Sequence, residues 1–100
     1  MNEWQYYRFD ITVGGSYLMV EALELNTTGN IWLYVNQAAP PTLSDYDYSN
    51  TKLDTANHVI YFPVRASTTP QMFFIGVYGS PISQRGDPIP YAIVAYSPQL

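Results

Sequence analysis

One histidine, eight carboxylates and sixteen aromatic rings are the groups in this 100-residue chain that could do chemistry. His58 is the sole imidazole, so any Ser-His-Asp arrangement has to run through it. It opens an apolar stretch, His58 to Val64, beside Asn57, with no serine or carboxylate at a motif-like distance. No G-x-S-x-G, no glycine-rich phosphate loop and no H-E-x-x-H is present. A lone histidine at a strand edge is most simply a surface or hydrogen-bonded residue. The chain therefore reads as non-catalytic. With no cysteine, disulfides, thiol catalysis and thiolate metal sites all drop out.

Asp45 and Asp47 flank Tyr46 in a Pro- and Asn-rich stretch, which could set both carboxylates on one side of an extended loop. Calcium takes about 6–8 oxygen ligands, and loop carbonyls could complete such a site. The competing reading is a solvated acidic turn closed by Asx hydrogen bonds. Glu21, Glu24 and Asp54 could join only through folding. Asn26-Thr27-Thr28 fits the N-glycosylation pattern, but it sits in a turn-rich segment and reads as turn chemistry.

The elements that must position these groups follow a period of two. Tyr7, Phe9, Ile11 and Val13 share one face of a strand over 5–13, opposite Tyr6, Arg8, Asp10 and Thr12. Gly14-Gly15 suits a two-residue hairpin turn. In 16–25, Leu18, Val20 and Ala22 point inward, opposite Tyr17, Met19 and Glu21. Glu24 then falls inward and Leu23 and Leu25 outward, so a bulge or strand end is expected near Ala22. Leu18 to Leu25 also holds good helix formers, but the turn residues on both sides favour a strand. Ile31, Leu33 and Val35 face inward in a third strand, with Trp32 and Tyr34 outward. A polar stretch over 36–57 reads as loop with a short strand near Tyr46 to Tyr48. Strands follow at His58 to Val64, where Pro63 hints at an edge, at Met72 to Tyr78 and at Tyr91 to Tyr96. Seven short strands without a sustained helical period predict one all-β domain over 1–100, an antiparallel, jelly-roll-like β-sandwich.

This pattern sorts the aromatics. Phe9, Phe73 and Tyr91 belong with the core. Tyr6, Trp32, Tyr34, Tyr78 and Tyr96 point away from it, and on a one-sided sheet they would meet solvent as a binding platform. The alternative is cross-strand aromatic pairing, which stabilises the sheet by about 0.2–1 kcal/mol per pair. Charged residues are only 12% of the chain, and net charge is −4. That balance excludes a phosphate-backbone binder, so no nucleic-acid partner is expected. No run approaches the roughly 18 apolar residues of a membrane span. The opening Met-Asn-Glu-Trp-Gln has neither the basic nor the apolar region of a signal peptide, which suits a cytosolic protein or a domain of a longer secreted one.

Four features in order resemble the bacterial pre-peptidase C-terminal domain family. They are Tyr6-Tyr7-Arg8-Phe9-Asp10-Ile11 with Gly14-Gly15 and Leu18-x-Val20; Asn30-Ile31-Trp32-Leu33-Tyr34-Val35; Pro41-Thr42 leading to Tyr46-Asp47; and Phe73-Phe74-Ile75-Gly76-Val77-Tyr78-Gly79 before a last strand at Tyr91. The resemblance spans Trp4 to Tyr96. Where the family has a small acidic residue ahead of Leu-Tyr-Val, this chain has Asn30-Ile31-Trp32, which weakens any calcium site at that turn. The resemblance implies a non-catalytic accessory domain of a secreted hydrolase, extracellular, within a longer chain. Its implied partner is an extended protein or polysaccharide, as in collagen-binding relatives, or the parent catalytic domain. A structural module that docks to its parent or to itself is the alternative.

Overall fold

The period-two pattern resolves into seven strands in the computed structural model, which describes residues 4–11, 17–25, 31–52, 55–65, 70–79 and 91–97. They are β1 (Trp4–Ile11), β2 (Tyr17–Glu24), β3 (Ile31–Gln37), β4 (Tyr48–Asn50), β5 (Asn57–Pro63), β6 (Gln71–Gly79) and β7 (Tyr91–Tyr96). No helix occurs among the described residues, so none is long and apolar enough to cross a membrane. The strands form a four-stranded sheet, β1-β6-β3-β4, and a three-stranded sheet, β5-β2-β7, with every neighbouring pair antiparallel. The chain changes sheet at each connection except β3 to β4, which gives the jelly-roll-like alternation. The fold is an all-β sandwich.

Between the sheets the core takes one residue in two from each strand. Leu18, Val20 and Ala22 of β2 and Leu33 and Val35 of β3 are fully buried, and Phe73, Ile75 and Val77 of β6 nearly so. Phe9 and Tyr91 pack against this cluster at its margin. Two contacts close the long sides of the sandwich. At one, Asn50 Nδ2 donates to the Val59 carbonyl at 2.9 Å, tying edge strand β4 to edge strand β5. At the other, the hydroxyls of Tyr7 on β1 and Tyr91 on β7 meet at 2.7 Å.

Three expectations need correcting. Gly14-Gly15 lies outside the described residues, but β1 and β2 belong to different sheets, so the pair does not close a hairpin. No bulge interrupts β2: its register with β5 runs unbroken from Tyr17 to Leu23, and Glu24 continues inward. The short strand of the long loop is Tyr48–Asn50, leaving Tyr46 and Asp47 in the loop. Pro63 does end an edge strand, where its missing N–H costs no ladder bond. The Asn26 sequon, the turn near Ser67 and the loop over 80–90 lie outside the described residues.

Candidate functional site

The outer face of the four-stranded sheet carries most of the predicted platform. In register, Trp4 and Trp32 lie opposite Tyr78 from either side, and Tyr6 and Tyr34 lie opposite Gly76. The rings pack into one cluster. Trp4 stacks on Tyr6 at 5.3 Å between centroids and meets Tyr78 at 4.8 Å, while Tyr34 meets Tyr46 edge-on at 4.9 Å.

The segment after β3 folds back over this cluster. Ala38 adopts φ 72° and turns the chain, its N–H bonding the Met72 carbonyl at 2.9 Å. Asn36 Nδ2 donates to the Ala39 carbonyl at 3.2 Å, and the Tyr6 hydroxyl donates to the Pro41 carbonyl at 3.0 Å. Pro41 is fully buried, seated above Gly76: a Cβ there would stand 2.8 Å from the proline ring and 2.7 Å from the Trp4 ring.

The platform expectation is therefore corrected. Tyr34 and Tyr78 are 4% and 7% exposed, because a covering loop turns this face into a second small core. Burial, followed by the neighbouring Tyr46 and Tyr78 phenols, pushes the Tyr34 phenol above its ordinary pKa. Trp32 is half-buried, and among the described residues its Nε1 has no hydrogen-bond partner. Tyr6 stays partly open, at 44%.

Exposed aromatic surface lies on the other sheet. Across β5-β2-β7 the outward residues form rows: Tyr61, Met19 and Tyr96; then Val59, Glu21 and Val94; then Asn57, Leu23 and Ala92. Tyr17 adds a third ring, 4.8 Å from Tyr61 and 6.4 Å from Tyr96. Tyr61, Val94 and Tyr96 are each more than half exposed. Glu21 is the one charged side chain in these rows. Of the five residues expected to bind a ligand, only Tyr96 belongs here. Tyr17 and Tyr61 were readable as outward from alternation, but alternation does not say which strands share a sheet.

His58 is not at the surface. Its Nε2 lies 2.8 Å from Glu24 Oε2, with both side chains fully buried. The strands supply the geometry: Ala22 pairs with His58, so Glu24 comes two residues further along the same inward face. The clue was the inward Glu24 of β2, which the expectation of a bulge explained away.

Asp45 and Asp47 have separate tasks. The Asp45 carbonyl accepts the Thr42 N–H at 2.9 Å, and its own N–H bonds Thr42 Oγ1 at 3.0 Å. Asp47 Oδ2 accepts the Gln37 N–H at 3.0 Å. No group of three or more His, Cys, Asp or Glu residues gathers among the described residues, so a calcium ion here would rely on carbonyl and water oxygens.

Comparison of the chain with family models, with curated proteins and with solved structures returns no match in any of the three.

Proposed function

We propose that this chain is a non-catalytic binding module of an exported protein, which holds an extended polymer across the outer face of β5-β2-β7. The observation that carries this is the exposed face itself, on which Tyr17, Tyr61 and Tyr96 cluster among Val59, Val94 and Leu23 with a single charge, Glu21. Tyrosine rings give rigid contact area with a polar tip, and aromatic enrichment with little charge is the composition of binding-surface centres. Size favours an extended ligand. Strand spacing and rise make the face roughly 10 Å by 20 Å, well short of the roughly 800 Å² that each globular partner commonly contributes to a stable interface. Aliphatic neighbours beside phenol hydroxyls suit a polypeptide, which offers both apolar side chains and carbonyl acceptors. The assignment to an exported protein rests on the pre-peptidase C-terminal resemblance. The burial of His58 and Glu24 supports the non-catalytic part, since neither side chain reaches solvent.

The test is retention on collagen, cellulose, chitin and peptidoglycan, comparing the native chain with Tyr61→Ser and Tyr96→Ser. We expect retention on a fibrous protein, reduced about tenfold by either substitution with the melting temperature unchanged. Retention by none of the four, or retention indifferent to both variants, overturns the reading.

A second reading, self-association, is favoured by β1. It is an eight-residue edge strand, and Arg8 and Asp10 on it are self-complementary in charge. Sizing chromatography over a range of concentrations checks it, and a monomer throughout removes it.

A further inference from the structure

At one end of the sandwich four strand ends converge: the last residue of β3, the first of β4, the last of β5 and the first of β6. Between them lies an open cleft of about 590 Å³, lined among others by Gln37, Asp47, Tyr48, Phe62, Arg65 and Gln71. Its size falls within the roughly 300–1,000 Å³ of small-ligand sites. It shares β5 with the tyrosine face, but none of Tyr17, Tyr61 or Tyr96 lines it.

The lining has two characters. One side is aromatic. Tyr48 stacks on Phe62 with centroids 4.0 Å apart and planes within 10°, so one face of the phenol ring is taken and the other is left. Tyr48 remains 39% exposed. The other side is polar, and it is held in place before any ligand arrives. Gln37 Nε2 donates to Gln71 Oε1 at 3.3 Å, and Gln71 Nε2 donates to the Arg65 carbonyl at 2.7 Å. The Gln37 N–H fixes Asp47 through Oδ2. That leaves Asp47 Oδ1 and the Gln37 Oε1 as acceptors. The Arg65 guanidinium makes no hydrogen bond or ion pair with any described residue, and it supplies donors.

We propose that this cleft binds a neutral saccharide of one or two rings. A sugar ring has an apolar C–H face that packs on an aromatic plane, and hydroxyls that both donate and accept around its rim. The cleft presents the complement of both. One carboxylate and one guanidinium cancel, so the rim selects neither an anion nor a cation, whereas mixed donors and acceptors match hydroxyls. The prior hydrogen bonding of Gln37, Gln71 and Asp47 lowers the ordering cost that weak sugar binding would otherwise carry.

Nitrogen-15 spectra recorded during titration with cellobiose, maltose and N,N′-diacetylchitobiose at millimolar concentration test this. At least one of the three should shift the side-chain amides of Gln37 and Gln71 saturably. Arg65→Gln and Tyr48→Leu should each weaken that sugar about tenfold or more. Arg65→Gln removes a side chain with no described partner, so it reports on binding even if Tyr48→Leu disturbs packing against Phe62. Tyr96→Ser on β7, a strand that contributes nothing to the cleft lining, should leave the titration unchanged, which separates this site from the polymer face. Silence with all three sugars overturns the proposal. So does an equal response of the same amides to glycine or acetate, or an affinity indifferent to Arg65→Gln.

Discussion

Glu24 and His58 show how a residue can be legible in type and illegible in role. Each was visible as the odd polar member of an inward-facing set, Glu24 after Leu18, Val20 and Ala22, and His58 before Ile60 and Phe62. Their meeting at 2.8 Å depends on β2 and β5 being neighbours, which neither strand announces alone. Removing two polar groups from water costs more than their attraction returns unless the geometry is good, and breaking such a pair strands the survivor. His58→Ala should therefore destabilise the fold by about 3–5 kcal/mol in urea unfolding. Replacing both partners, with Glu24→Met and His58→Leu together, should cost less than the sum of the single changes, because neither member of this pair is then left buried without the other. An additive cycle would mean that the contact carries no coupling.

Among the elements, β6 shows why outward did not mean exposed. Alternation placed Tyr78 and Gly76 on the outer face correctly, and the same rule placed Trp32 and Tyr34 there on β3. Period two reports the face of a strand, but not what crosses over that face. Here the cover is the 38–47 segment, seated through Pro41 on the space that Gly76 leaves. Gly76→Ala should drive a methyl group against the Trp4 ring and Pro41 and cost about 1–3 kcal/mol. The same substitution should shift tryptophan emission toward that of exposed indole as the loop lifts. An unchanged unfolding midpoint would mean that the loop does not seal the cluster. Ala38 reaches its φ of 72° at a cost of roughly 1–2 kcal/mol for a residue with a Cβ. Ala38→Gly relieves that and adds roughly 0.5–1 kcal/mol of unfolded-chain freedom, so a small net gain in stability is expected from the same urea series. The strands themselves were legible because each carries its own alternation. Their partners were not, since a Gly14-Gly15 pair looks the same whether it closes a hairpin or leads to another sheet.

For the whole molecule, scarce charge and ten tyrosines move the pH sensitivity of the fold to the alkaline side. On the acid side, the Arg8 guanidinium holds the Asp10 carboxyl below its usual range, but both groups stand in solvent and such pairs contribute little. The tyrosines differ. Burial raises the Tyr34 phenol, and burial with the Tyr7 hydroxyl bond raises that of Tyr91 further still. A phenol whose pKa is higher in the folded than in the unfolded state binds its proton more tightly when folded. Its contribution is complete below the unfolded value of about 10 and is lost as pH rises from there through the folded value. The urea midpoint should therefore hold steady from neutrality to about pH 10 and fall beyond it. Phenolate absorbance should show a late stage, in which Tyr34 and Tyr91 ionise only as the fold opens. Tyr91→Phe should flatten part of the alkaline fall, because it removes the more strongly raised phenol and the hydroxyl contact joining β1 to β7. The absence of that late stage, or a midpoint unchanged well above pH 10, would show that the 38–47 segment and the margin of the sandwich do not shield Tyr34 and Tyr91 from solvent.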